Sequence, residues 1–425
     1  MKKNIFLVGI ALLATTTSLA QTTKEEMLET IEKTAGVYYA YPTPSSTYTP
    51  TPKGYAPFYI SHFGRHGSRY LIWDSDYTKP IVTLEQADKA NALSAVGKDA
   101  LRRLKAIYKE ASGRGEDLTT KGIMQHRGIA ERMYGSFPEV FAPGKEISAR
   151  SSVVLRCAMS MAAFGDRLKE LNPKLKITYE SSRKYMPYLT GRTKEADKFC
   201  GEDGAWRASA KNFSDSIIDA RRFADQLFSD KSWMKQYIDT KSLMWQMYWV
   251  ASDLQNMDTD IRLYDLFTED ELFNLWQSNN YEFYSTNANH IDSQGTIKDS
   301  FKPLLRNIIE SADEAIVNHN IAATLRFAHD GNIVPLAALM GIEDYAVSTR
   351  DAATLYTKWC TWKVSPMAAN LQIVFYRNKA DNILVKVLYN EEEVHIPVAT
   401  TTFPYYEWTA VRSYYMSILE TLYIY

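Results

Sequence analysis

Five consecutive residues, Arg65, His66, Gly67, Ser68 and Arg69, combine a nucleophile with two anion-binding groups. A neutral imidazole attacks electrophilic centres at ordinary pH, and a guanidinium grips phosphate oxygens through paired hydrogen bonds. Gly67 lets the backbone approach a ligand with no Cβ in the way. The stretch reads as a phosphate cradle built around an attacking nitrogen. Its bland counterpart is a polar loop after a strand, with the charged groups solvated. A second polar pair, His329-Asp330, closes another apolar run and leads into Gly331-Asn332.

Other residues invite the same scrutiny. Arg156 sits among Val153, Val154, Leu155, Met159, Ala162, Ala163 and Phe164, an apolar run expected to be largely buried. A buried guanidinium needs an anion. That anion is either a structural carboxylate or the substrate, and residue types leave both open. Arg183-Lys184 follows the strand-like Leu175 to Tyr179, where the cations serve either outer phosphates of a large substrate or a solvated turn. His62 and His66 have helical metal-ligand spacing, but Gly64 and the strand-like run around it argue against a helix, so no metal is expected. With no Cys-x-x-Cys pair and no Walker-type loop, no cofactor is expected.

The elements that must carry these groups follow from pattern. Phe58 to Phe63 is aromatic and branched, as a strand requires, and Ala322 to Ala328 forms a second strand. Each ends in its polar cluster, and in open α/β sheets ligands sit beyond the carboxyl ends of strands. Helical spacing marks Thr83 to Lys109 and Thr119 to Phe137, with Thr119 or Thr120 as N-cap. From Tyr185 to Asn320 the pattern is helical and holds five of the nine tryptophans, which reads as core. Leu371 to Tyr376 and Ile383 to Tyr389 make a hairpin, followed by a helix from Trp408 to Leu422. The expected fold is α/β, a mixed, mainly parallel sheet flanked by helices, with an inserted α-helical domain. Residues 21–184 and 321–425 form the sheet domain, and 185–320 the insertion.

Lys2-Lys3, the apolar run from Ile5 to Ala14 and small residues up to Ala20 describe a secretory signal peptide over residues 1–20. Export is expected, to the periplasm of a Gram-negative host or the medium. No later stretch is long and apolar enough to span a bilayer. Removing residues 1–20 takes two of the 49 lysines and arginines and none of the 50 acids, leaving a net charge of −3. That excludes a nucleic-acid binder resting on global basic charge, while a local basic cleft still suits a small phosphate ester. Of the three cysteines, Cys157 reads as a buried thiol, and export permits a Cys200–Cys360 bridge.

Arg65, His66, Gly67 and Arg69 match the Arg-His-Gly-x-Arg signature, so the chain resembles the histidine acid phosphatases, the branch containing phytases and multiple inositol polyphosphate phosphatases. Many members carry a proline where this chain has Leu71. Arg150-Ser151-Ser152 followed by Arg156 resembles the fungal phytase pattern, and Arg156-Cys157 with Ser160 resembles the inositol polyphosphate enzymes. The resemblance gives Arg156 the third phosphate-binding guanidinium, with Arg150 as runner-up. His329-Asp330 resembles the second half-signature of acid phosphatases and many phytases, where inositol polyphosphate phosphatases carry His-Ala-Glu. Asn390-Glu391 and the stretch from Tyr405 to Met416 resemble the latter group.

The resemblance implies metal-free hydrolysis of phosphomonoesters, with inositol polyphosphates foremost. His66 attacks phosphorus, Arg65, Arg69, Arg156 and His329 spread their charge over its oxygens, and Asp330 protonates the leaving oxygen. A mutase-type phosphotransferase and a silent phosphate-binding module are the rivals. Replacing His66 by alanine should abolish turnover of a chromogenic phosphomonoester in the presence of chelator while phosphate binding stays measurable. Retention of more than a few per cent of activity would remove His66 as nucleophile.

Overall fold

The computed structural model describes residues 23–44 and 47–421, so the signal-peptide stretch lies outside the described residues. Strand β1 (Tyr55–Arg65) is buried without a break from Tyr59 to its end. Such burial belongs to a strand of a parallel sheet covered on both faces. Three helices follow, α1 (Asp74–Lys89), α2 (Ala95–Ala111) and α3 (Thr120–Ser136). The single helix expected over 83–109 is thus broken in two. Asn91 takes a left-handed φ of 54°, and the Ser94 side chain then caps α2 by accepting from the Gly97 N–H. Thr119 caps α3 in the same way.

The stretch from Ile147 to Leu171 divides into strand β2 (Glu146–Ser151) and helix α4 (Leu155–Leu171). Strand β3 (Lys176–Ser181) comes next. From Arg183 to Val317 every element is helical, the longest being α5 (Thr240–Asp253), α6 (Glu269–Asn287) and α7 (Lys302–Val317). The chain then returns to the sheet with β4 (Ile321–Ala328), α8 (Asp330–Met340), the hairpin β5 (Asn370–Asn378) and β6 (Ile383–Tyr389), and α9 (Trp408–Glu420).

Among the described residues the sheet has eight strands in the order β3–β2–β4–β1–β5–β6, completed by two short strands, Glu392–Glu393 and Tyr405–Glu407, that pair with β6. The first four are mutually parallel, β5 runs antiparallel to β1, and β6 runs antiparallel to β5. Alternation along β1 sends Tyr59 and Phe63 toward α7, α8 and α9, and Ile60 toward α3 and α4. A third core joins Tyr77, Leu84 and Leu104 of α1 and α2 to Met247 of α5 and Leu272 of α6, so helices from before β2 and after β3 share one apolar interior. Among the described residues no helix is long and apolar enough to cross a membrane.

The pairing that matters for chemistry is β1 with β4. Their parallel register sets Arg65 beside Ala328, so residues 66 and 329 leave the sheet side by side. The loop after β1 is pressed onto the start of α3. A Cβ on Gly122 would lie 2.3 Å from the Ser68 carbonyl oxygen, and one on Gly67 would lie 2.5 Å from that of Gly122. Backbone meets backbone there, and only glycine at both positions permits it. Gly122→Ala should destabilise the protein by about 1–3 kcal/mol and weaken phosphate binding together with it, as read from denaturant midpoints and equilibrium dialysis.

Candidate active site

Arg65 ends β1 with none of its side chain exposed. Its Nη1 donates to the carbonyls of Val37 and Ser365, both at 2.7 Å, and its Nη2 lies 2.8 Å from Oδ2 of Asp330. The next residue is fixed just as firmly. The His66 N–H donates to the Ala328 carbonyl at 3.0 Å, and its Nδ1 lies 2.9 Å from the Gly67 carbonyl. A carbonyl only accepts, so Nδ1 carries the hydrogen and Nε2 keeps its lone pair. Burial, followed by the charges of Arg65, Arg69 and Arg156, pushes the His66 pKa well below the ordinary histidine value. Burial and these charges therefore favour the neutral imidazole.

Arg69 donates from Nη1 to the Tyr70 carbonyl at 2.6 Å and from Nη2 to the Tyr38 hydroxyl at 3.3 Å, with its guanidinium 5.0 Å over the Tyr38 ring. The loop between the two arginines is held from several sides. Gly67 N–H donates to Ser160 Oγ, Ser68 N–H donates to Gln125 Oε1, and Ser68 Oγ donates to Asn256 Oδ1 at 2.6 Å. Asn256 in turn donates to the Tyr38 carbonyl and neighbours Asp253, which accepts from the Tyr77 hydroxyl at 2.5 Å. Burial raises the Asp253 pKa to about 6 against the pull of Tyr77 and Arg69. Sequence reasoning missed Gln125, Asn256, Asp253 and Tyr77. The only signal was an aspartate closing the apolar run of α5.

His329 and Asp330 lie across from this loop at the start of α8. The rings of His66 and His329 are 5.6 Å apart, and His329 Nε2 is 3.4 Å from Ser152 Oγ. Burial and then the Arg156 charge lower the His329 pKa to about 4. Asp330 Oδ1 accepts from the Gly331 N–H at 2.7 Å, as a residue in the first turn can, while Oδ2 faces Arg65. Burial alone would raise its pKa, but Arg65, His329 and Arg69 outweigh that and hold it below the usual carboxylate value.

Arg156 is the second residue of α4, not the middle of a buried helical run, and its neighbours Leu155 and Met159 are 67% and 44% exposed. Its Nη1 donates to Glu116 at 2.6 Å. Arg150 pairs with Glu180 at 3.1 Å and stacks over Tyr185, away from this cluster. Arg183 lies exposed in the short turn after β3. The Nε atoms of Arg65, Arg69 and Arg156 are all buried without a hydrogen-bond partner among the described residues. All three charges bear on the His66 imidazole, and each guanidinium keeps a buried donor with unmet bonding, an arrangement that can accept an oxyanion.

His62, four residues upstream, packs between Phe164 and Phe327 in the apolar interior. Among the described residues no three His, Cys, Asp or Glu side chains are grouped to hold a metal ion. Cys200 and Cys360 are thiols rather than a bridge, donating to the carbonyls of Thr286 and Tyr356.

The chain belongs to the histidine phosphatase superfamily (branch 2), whose family profile matches residues 64–390, and it is a phosphoric monoester hydrolase of that class. Among curated proteins it is similar to multiple inositol polyphosphate phosphatase 1 of Gallus gallus, 23% identical over 389 residues, 87% of this chain and 83% of the relative. Its fold is similar to that of the Bifidobacterium longum multiple inositol polyphosphate phosphatase in complex with inositol hexasulfate, with TM-score 0.75 and 20% identity over 92% of this chain and 99% of the other. It is also similar to the phytase of D. castellii, with TM-score 0.70 and 14% identity over 92% of this chain and 86% of that one.

Protonation should govern stability. His62, His66 and His126 are buried and His329 is half-buried, and all four have lowered pKa values, His126 at about 3. They stay neutral in the native state, whereas the unfolded chain takes up protons below pH 6.5. Each group therefore removes about 1.4 kcal/mol of stability per pH unit below that point until its native pKa is reached. Asp253 acts oppositely, gaining stability as the pH falls through 6, but it is one group against four. The Tm should fall between pH 7 and pH 5 in calorimetry, and His62→Leu should make that fall shallower.

Proposed function

We propose that the protein hydrolyses inositol polyphosphates such as phytate, and related organic phosphates, through a covalent phosphohistidine on His66. The observation that carries this reading is the Nδ1 contact to the Gly67 carbonyl, which leaves Nε2 as the attacking atom amid three guanidiniums. The Nε2 lone pair forms the N–P bond as the ester P–O bond breaks, and its electrons pass to the leaving oxygen. Asp330 delivers the proton to that oxygen. Water then attacks phosphorus, giving its proton back to Asp330, and the N–P bond electrons return to Nε2. Arg65, Arg69, Arg156 and His329 hold the phosphoryl oxygens throughout.

Asp330 must be protonated to act first as an acid, yet Arg65 holds it ionised in the ligand-free protein. A phosphate dianion arriving at Arg65 offsets the guanidinium charge and raises that carboxyl pKa. Activity should accordingly be favoured by acid, where His66 stays neutral. Arg183, with Lys184 beside it at the edge of β3, would meet outer phosphates of a large substrate. Helices over 185–320, read as an inserted domain, would wall the cleft, and the protein would be exported to the periplasm or medium.

One observation favours a second reading, a broad-specificity acid phosphatase. The cavity beside Arg156 is lined by Asp74, Glu116 and Asp117 together with Trp73 and Leu155, which suits a leaving group with little charge. The time course of products from phytate, set against turnover of sugar phosphates, separates the two. Asp330→Asn should lose about 10²–10⁴ in rate on an inositol phosphate and far less on p-nitrophenyl phosphate, whose leaving group needs no proton. Equal loss on both substrates would reduce Asp330 to its contact with the first turn of α8.

A further inference from the structure

A cavity of about 730 Å³ opens beside the phosphate cradle, and Arg156 belongs to both. Its guanidinium adds to the positive field on His66 and His329, while its Nη1 donates to Oε2 of Glu116. The two partners are held very differently. The Arg156 side chain is 12% exposed and that of Glu116 is 42% exposed, so the carboxylate can swing into solvent and the guanidinium cannot. Arg156 Nε is buried with no partner among the described residues, so Glu116 answers only part of its bonding capacity.

The backbone at Glu116 is unusual as well. Its φ is +67°, a left-handed conformation that a glutamate adopts at a cost, and its N–H is tied to the Leu71 carbonyl at 2.9 Å. This anchor points the carboxylate at Arg156 from the loop leading out of α2. A carboxylate offers a guanidinium the same two-oxygen edge that a phosphate offers.

We propose that the Glu116 carboxylate occupies Arg156 while no phosphate is bound and yields it when a phosphoryl group enters. The proposal rests on the reading of Arg156 as a phosphate ligand. A phosphate that takes Arg156 Nη1 must displace a tethered competitor, which weakens the hold on inorganic phosphate and speeds its release as product.

The test measures binding of inorganic phosphate alone, by isothermal titration at pH 7, to the full chain and to Glu116→Gln, Glu116→Asn, Arg156→Ala and the Glu116→Gln/Arg156→Ala double variant. Asparagine tolerates the left-handed conformation, so Glu116→Asn removes the charge without adding strain. Both single Glu116 variants should bind phosphate about two- to fivefold more tightly, the worth of a half-exposed ion pair, and the gain should vanish in the Arg156→Ala background. Unchanged or weaker binding by the two variants overturns the proposal, as does an equal gain in the absence of Arg156. Separately, an Arg156→Ala protein that binds phosphate like the wild type would remove Arg156 from the cradle and overturn the reading beneath the proposal.

Discussion

A fully buried guanidinium is among the most expensive groups a protein can hold, costing several kcal/mol in lost hydration unless acceptors meet it. Arg65 is such a group, and three separate parts of the chain supply its acceptors. Val37 precedes the first strand, Ser365 precedes β5, and Asp330 opens α8. The same charge lowers the pKa of His66 and holds down that of Asp330. One side chain thus ties separate parts of the chain together and, beside the effect of burial, bears on the protonation of both His66 and Asp330.

The cradle depends next on how tightly its loop is gripped. Gly67 and Gly122 let two backbones touch, and Ser160, Gln125 and Asn256 bind the loop from α4, α3 and the turn after α5. The helical region therefore supports the loop directly, because Asn256 reaches from it to Ser68 between the two arginines and Asp253 backs Asn256. Phosphoryl transfer relies on positioning rather than covalent chemistry from the protein, and rigid support of the loop is how a fold supplies it.

Much of this was legible in the sequence, for identifiable reasons. The signature around His66 and the strand-end placement of His329-Asp330 were read from local pattern, because parallel strands end in polar loops at a fixed edge. The hairpin of β5 and β6 and the final helix followed from periodicity. Strand β2 has only two apolar residues, Ile147 and Ala149, too few to mark a strand by composition. Arg156 was placed within a buried run because composition does not show that Leu155 and Met159 beside it face out. The partners of Ser68 were invisible, since Gln125 and Asn256 are ordinary polar residues whose role arises only from tertiary contact.

The position of β1 at the centre of the sheet governs how the protein comes into being. Its two hydrogen-bonded neighbours, β4 and β5, both follow the long helical region in the chain. A strand that is buried along most of its length therefore has no lateral partner until some 260 residues after it have been made. Pairings of such high sequence separation close slowly, because loop entropy is lost before any contact compensates for it. His66 is synthesised early and Asp330 late, so the two strand ends come together only after most of the chain has been made.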